Sequence, residues 1–360
     1  MVLVDITNLS KEELQNKISQ LGHKKYRSEQ IWAWVYNKGI RDFDSMDNLS
    51  KSLRSELKQV FEIPRPEVTA HLVSTDGTQK WLIKFHDGNE AETVYIPEED
   101  RGTLCISSQI GCTLNCTFCH TGTQKLVRNL TSGEIVQQIM LARDYLNEWP
   151  STQEKRLISN IVLMGMGEPL YNYDNVVKAL HTIMDDDGIA ISRKKITLST
   201  SGVVPKILDC AQDTRVNLAL SLHATTNEIR NKIVPLNKKY PLEELIPVVR
   251  KYQDLSKSKR ITFEYVMLND VNDTIEDAKR LLELIKGIEC IVNLIPFNPW
   301  PGTLYECSSN NRIQRFAKIL HDNDQPATVR TPRGRDILAA CGQLKSESLK
   351  IPKYLSNNIS

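Results

Sequence analysis

Apolar residues recur at helical spacing through the first sixty or so positions of the chain. Leu14, Ile18 and Leu21 share one face, Ile31, Trp32 and Val35 a second, and Leu53, Leu57 and Val60 a third. Ser10-Lys-Glu-Glu13 is a capping box and Gly22 suits a helix end, which predicts a first helix between them. A second helix is expected from Ser28 to Gly39 and a third from about Ser50, the module closing at Pro64-Arg-Pro66. From Val68 to Ile96 apolar and polar residues alternate, with turns at Asp76-Gly77 and Asp87-Gly88, so this stretch predicts hairpin strands.

From Thr103 the texture becomes strand, loop, helix, repeated. Candidate strands are Thr103–Ser107, Ile161–Met164, Lys195–Leu198, Val216–Leu222, Ile261–Met267 and Ile291–Ile295. Between them lie amphipathic stretches at Ser132–Arg143, Asp174–Met184, Leu242–Tyr252, Thr274–Ile285 and Asn311–Leu320. Six such units predict an α/β fold, a partial (β/α)6 barrel with parallel strands inside and helices outside. The expected organisation is a helical accessory domain over 1–62, a β-rich linker over 63–98, the barrel over 99–345 and a C-terminal tail over 346–360.

Composition changes this picture in two ways. A net charge of +2 over 360 residues gives no global basic field, so contact with nucleic acid must come from local patches. Candidates are Lys24, Lys25 and Arg27 beside Tyr26, Arg193-Lys-Lys195 and Lys238-Lys239, and Arg330, Arg333 and Arg335; each also reads as ordinary surface charge. The first residues lack a signal-peptide pattern and no apolar run approaches the ~18 residues of a membrane span, so a cytoplasmic protein without membrane contact is expected. Eight cysteines are too sparse for a secreted disulfide scaffold, and a reducing compartment keeps thiols available for metal or catalysis.

Three of those cysteines, Cys112, Cys116 and Cys119, form a CxxxCxxC loop after the first barrel strand. Three thiolates this close can hold three corners of an iron–sulfur cube and leave the fourth iron open for chemistry. A structural zinc site usually takes two separated CxxC pairs, and the chain has no second pair. Further motifs fall after the other strands: Gly165-Met-Gly-Glu-Pro169, Ser199-Thr-Ser-Gly202, Ser221-Leu-His-Ala224 and Asn298-Pro-Trp-Pro-Gly302. Active sites of barrels are built on such loops, although each motif alone also reads as a turn or cap.

The CxxxCxxC spacing resembles that of radical S-adenosylmethionine enzymes. That resemblance implies a [4Fe-4S] cluster whose open iron binds the amino and carboxyl groups of S-adenosylmethionine and whose electron cleaves it to a 5′-deoxyadenosyl radical. Gly167 and Glu168 suit an ammonium group, Ser199 and Ser221 to His223 suit a carboxylate and a ribose, and Asn298 suits an adenine edge. In the superfamily, the positions matching Gly167, Glu168, Ser199, Ser221, Leu222, His223 and Asn298 contact the cofactor.

Two cysteines outside the triad stand in a distinctive context. On the first barrel strand Leu104 and Ile106 alternate with Thr103, Cys105 and Ser107, so an apolar pair facing the helices turns Cys105 inward. Cys341 lies in Ala339-Ala-Cys-Gly-Gln343, where a glycine neighbour allows a mobile loop. Cys210, Cys290 and Cys307 read as small core or loop residues.

Together with Leu198-Ser-Thr-Ser-Gly-Val203, Asn293-Leu-Ile-Pro-Phe-Asn298 and Ala340-Cys-Gly-Gln343, these motifs closely resemble the RlmN family of adenine C2 methyltransferases. The resemblance runs from about Glu92 to Cys341 and extends to the N-terminal module. It implies methylation of C2 of one adenine in 23S rRNA and of the tRNA adenine beside the anticodon, with two molecules of S-adenosylmethionine per turnover. It also implies a monomer and an electron donor such as flavodoxin or a ferredoxin. Adenine C2 lies between two ring nitrogens and cannot attack a sulfonium methyl, whereas a thiolate can. On the family pattern Cys341 takes the methyl first, its carbon then adds to C2, and Cys105 helps release the product, leaving a Cys105–Cys341 disulfide to be reduced. Glu92 matches the family's proton acceptor, and equally reads as a solvated charge at a strand start. His120 receives no role. Two alternatives stand beside this reading: a Cfr-like enzyme that methylates adenine C8, and a non-catalytic iron–sulfur sensor that binds RNA.

Overall fold

The computed structural model describes residues 3–99, 101–150, 156–256 and 261–346. The segment read as a C-terminal tail lies, Ser346 apart, outside the described residues.

Three helices open the chain: α1 (Lys11–Gln20), α2 (Tyr26–Tyr36) and α3 (Lys51–Val60). The Ser10 hydroxyl accepts from the Glu13 N–H and the Glu13 carboxylate accepts from the Ser10 N–H, satisfying two donors that a helix start leaves orphaned. Helix α2 begins at Tyr26 rather than Ser28, because Ser28 does not cap; its hydroxyl donates to the Lys25 carbonyl. Leu14, Ile18, Ile31, Trp32, Leu53 and Leu57 are buried, as their spacing requires. Lys11 bridges to Asp185 and Asp187 at 3.0 and 2.6 Å, and the Trp32 indole N–H donates to Asp185, so this module is fastened to the barrel's flank.

The main sheet has ten strands in which neighbours in space are neighbours in sequence. Strands β1 (Glu67–Val73), β2 (Gln79–Lys84) and β3 (Glu90–Pro97) form the expected hairpins, and β3 continues antiparallel into β4 (Gly102–Cys105). Linker and barrel thus share one sheet. The rest is parallel: β5 (Asn160–Leu163), β6 (Ile196–Thr200), β7 (Asn217–Ser221), β8 (Ile261–Met267), β9 (Cys290–Pro296) and β10 (Ala327–Val329). Helices α4 (Ser132–Leu146), α5 (Tyr173–Met184), α6 (Val204–Asp213), α7 (Asn227–Ile233), α8 (Leu242–Ser256), α9 (Ile275–Ile285) and α10 (Asn310–His321) fill the crossovers.

Four more elements differ from expectation. The short strand β10 adds a seventh parallel strand, and three residues are too few to show a period. Helices α6 and α7 were also unforeseen, although Pro205 in the first turn of α6 and the Thr226 cap of α7 are ordinary start signals. Strand β4 ends at Cys105 rather than Ser107, because the Ser107 N–H leaves the ladder for the Gln138 amide oxygen and its hydroxyl donates to the Glu92 carbonyl. Leu104, Ile161, Ile196, Leu198, Leu218 and Leu220 are fully buried and form the apolar wall from which the site loops spring.

Candidate active site

The three-cysteine loop is pinched at its base by the antiparallel pair Gln109–Ile110 with Arg128–Asn129 and by a bridge between Cys112 and Lys125. Inside it, the Cys119 N–H donates to the Cys116 carbonyl and the Gly122 N–H to that of Cys119, each at 3.1 Å. A Cβ on Gly122 would sit 2.5 Å from the Cys116 carbonyl oxygen, so only glycine permits this fold-back. The Leu114 N–H lies 3.3 Å from Cys112 Sγ, the kind of backbone donor that stabilises a thiolate. Burial pushes all three thiols up, Cys116 to about 12, so metal loading must displace their protons. Among the described residues no three such side chains converge on a point as ligands of a single ion would. Three thiols on one loop facing one cavity instead fit the separate corners of a cube.

That cavity is lined by the three cysteines together with Gly167, Glu168, Ser199, Ser221, His223 and Asn298. Gly167 has φ of +103°, and a Cβ there would meet the Gln109 side chain at 2.5 Å. Glu168 is buried; its carboxylate accepts from the Ser201 N–H at 2.8 Å and the Leu170 N–H at 3.2 Å. Desolvation outweighs these donors and raises its pKa to about 7. Ser199 and Ser221 stand 3.4 Å apart on adjacent strands. His223 adopts φ of +59°, and its Nδ1 accepts from the Val266 N–H, which marks a neutral ring. Burial, helped by the Arg230 charge, lowers its pKa to about 3. The Leu222 side chain is not part of the lining; it is buried, and its carbonyl accepts from Arg230.

A second cavity shares Cys119, Glu264, Asn298 and Cys341 with the first and has Cys105 in its own wall. Cys105 and Cys341 are both free thiols; burial raises the pKa of Cys105, whereas Cys341 is exposed on its loop. The Cys341 loop is seated by many hydrogen bonds. Its carbonyl accepts from the Asn298 amide, the Gly342 carbonyl from the His120 N–H at 2.7 Å, and the Leu344 carbonyl from the Thr121 hydroxyl. His120 also stacks on Trp300 at 4.7 Å, and the Trp300 indole donates to the Phe118 carbonyl. The residue without an expected role therefore joins the three-cysteine loop to the Cys341 loop.

Glu92 lies outside both linings. Its buried carboxylate pairs with Lys80 at 2.8 Å and accepts from the Lys345 N–H at 2.8 Å, while Lys80 also donates to the Leu338 carbonyl. Desolvation raises its pKa against the pull of Lys80. Of the basic candidates, Arg330 is exposed and lines the second cavity, Arg333 donates to the carbonyls of Asp76 and Pro97, and Arg335 donates to Asn298. Arg193-Lys-Lys195 precedes β6 and so sits at the amino end of the sheet, not around the site mouth, because the site occupies the carboxyl ends.

Two residues escaped the sequence reading. Arg230 is fully buried and donates to the carbonyls of Ser201, Ser221 and Leu222, stitching two motif loops together. Glu264 is a carboxyl in the middle of the apolar strand β8, a placement that is itself a signal.

Residues 4–63 match the ribosomal RNA large subunit methyltransferase N-terminal domain and residues 106–285 the radical SAM superfamily. The chain is 58% identical to the dual-specificity RNA methyltransferase RlmN of Rhodospirillum rubrum, covering 96% of this chain and 81% of that one. It belongs to the RlmN family. The RlmN of Dinoroseobacter shibae is 56% identical, with 97% of this chain and 91% of the relative covered. A solved radical SAM methyltransferase from Sphaerobacter thermophilus superposes with a TM-score of 0.89 at 40% identity, covering 96% of this chain and all of that one. As an RlmN-family radical SAM RNA methyltransferase, the protein uses a [4Fe-4S] cluster and S-adenosylmethionine. No helix among the described residues is long and apolar enough to cross a membrane.

Proposed function

We propose that the protein methylates adenine C2 in 23S rRNA and in tRNA beside the anticodon, by way of a methyl group carried on Cys341, with two molecules of S-adenosylmethionine per turnover. The observation that carries this reading is that Cys341 lies in the shared wall of two cavities. One is lined by the three cysteines and the cofactor motifs, the other by Cys105. Cys112, Cys116 and Cys119 hold the cluster; Glu168 takes the ammonium and the Ser199 and Ser221 hydroxyls orient the rest of the cofactor. When bound, these groups supply methyl transfer to a thiolate and electron-driven formation of a 5′-deoxyadenosyl radical.

Cys341 loses its proton and gains a methyl on Sγ. After hydrogen abstraction, the sulfur-bound carbon forms a bond to C2; the adduct then gives up the C2 hydrogen as a proton and one electron, which the bound cluster would accept. The Cys105 thiolate attacks Cys341 Sγ, the sulfur–carbon bond breaks with its electron pair on carbon, that carbon takes a proton to become the methyl group, and the disulfide left behind is reopened by two electrons. His223 is a neutral acceptor and fixes backbone rather than moving protons. Reduction falls to a flavodoxin or a ferredoxin, and the protein works as a cytoplasmic monomer.

Anaerobic reconstitution followed by methyl-labelled S-adenosylmethionine, dithionite and unmodified ribosomal RNA tests this. Label should reach C2 in the native chain and vanish in Cys341→Ala, while 5′-deoxyadenosine persists. Digestion and mass spectrometry against C2- and C8-methyladenosine standards decides the carbon, and a product at C8 would replace this reading with the Cfr-like one.

A further inference from the structure

The inner face of the barrel carries a polar row of which only Ser221 is an assigned cofactor residue. Ser221 is in register with Glu264, Glu264 with Asn293, and Asn293 with Thr328, across β7, β8, β9 and β10. Ser221 is half-buried and Thr328 is exposed on the edge strand, but Glu264 and Asn293 are buried in β8 and β9, where polar side chains are costly unless they are paired, so this pair calls for a cause. The Thr328 hydroxyl donates to Asn293 Oδ1 at 2.9 Å, which turns the Asn293 amide N–H toward Glu264 Oε1, also at 2.9 Å. One carboxyl oxygen is therefore fixed by its neighbour. Among the described residues the carboxyl has no second side-chain hydrogen bond, and it lines both cavities alongside Cys341.

An enzyme acting on a ring carbon of a base must take that base out of its stack and read it within a pocket. We propose that the second cavity receives the target adenine and that Glu264 hydrogen-bonds a ring nitrogen beside C2, holding that carbon against the group on Cys341. Three observations favour this edge of the base. Cys341 and Glu264 line the same cavity, and a group that meets the base near its reacting carbon meets the flanking nitrogens before the exocyclic amine. Burial favours the protonated, donating form of the carboxyl, although Asn293 and Arg330 oppose it. Of the other carboxyls, Glu98 in the same lining is paired with Arg101, and Glu92, outside the lining, is already held by Lys80 and the Lys345 N–H.

This inference rests on the Cys341 relay, and the experiment separates the two. Native protein, Glu264→Gln and Glu264→Ala are compared for Cys341 methylation, read by mass spectrometry of the protein without RNA, and for transfer to RNA in a single turnover. The expected result is Cys341 methylation within about twofold in all three. Transfer should fall about 10-fold or more in Glu264→Ala and less in Glu264→Gln, which keeps a hydrogen-bonding head. Oligonucleotides carrying 1-deazaadenosine or 3-deazaadenosine at the target give a readout that altered packing would not move. One of the two should slow the native protein yet cost Glu264→Ala nothing further, as two halves of one contact require. Loss of Cys341 methylation in the variants would assign Glu264 to the cofactor cavity and overturn the proposal, as would unchanged transfer or deaza effects that simply multiply. An unmethylated Cys341 in the native chain would remove the relay and this inference together.

Discussion

Apart from Cys341 and Gly342, the first cavity takes its walls from the carboxyl ends of barrel strands and the segments that follow them, the three-cysteine loop among them, whereas the second is closed by segments far apart in sequence, the strand β3 and residues 330–344. In the first, local devices hold each group: a fold-back at Gly122, a positive φ at Gly167, two N–H donors on Glu168. In the second, position depends on long-range contacts, with Lys80 tying Glu92 to Leu338 and Arg333 tying the C-terminal segment to Asp76 and Pro97. The difference teaches that the first cavity is specified by local motifs and the second by assembly, which on the proposed function separates the cofactor side from the substrate side.

Substitutions can break this contrast. Cys116→Ala should have the largest effect, removing bound iron and its visible absorption together with all 5′-deoxyadenosine formation; iron retained at the native level would undo the cluster assignment. Lys80→Ala should cost about 3–5 kcal/mol in denaturant unfolding, because it strands the buried Glu92 charge. Its damage should fall on transfer to RNA more than on cofactor binding.

Glu168→Gln should weaken S-adenosylmethionine binding about 10-fold or more by removing the partner of a buried ammonium, as titration calorimetry would show. The native affinity should also drop as pH falls below about 7, where the carboxyl gains its proton. Stability has the opposite sign. A folded pKa raised from 4.5 to about 7 gives a contribution that is complete at low pH and is lost as pH climbs through 7. Ligand-free Glu168→Gln should therefore gain on the native protein between pH 5 and 8, by up to roughly 3 kcal/mol. The smallest effect belongs to Arg330→Ala, a few-fold loss of RNA affinity with the salt slope reduced by about one charge.

How much was legible follows the same division. Strand β8 was bounded correctly from sequence, and the motif loops lie at the strand ends where their spacing put them, because each depends on neighbours within a few residues. Glu264 was missed although a carboxyl inside Ile261-Thr-Phe-Glu-Tyr265 is conspicuous, since its meaning comes from β9 and β10 beside it. Glu92 offered two sequence readings, and neither contained Lys80, which only the β2–β3 pairing brings alongside. Arg230 reads as one more basic residue on a short helix until its three carbonyl partners are known.

The seal between His120 and Gly342 carries a consequence for the birth of the protein. Its two halves are more than two hundred residues apart, and the ribosome makes them in order. At ordinary rates of synthesis roughly 10–45 s pass between the emergence of the three cysteines and that of the segment that covers them. Iron and sulfide thus have a window in which the loop is made but its cover is not.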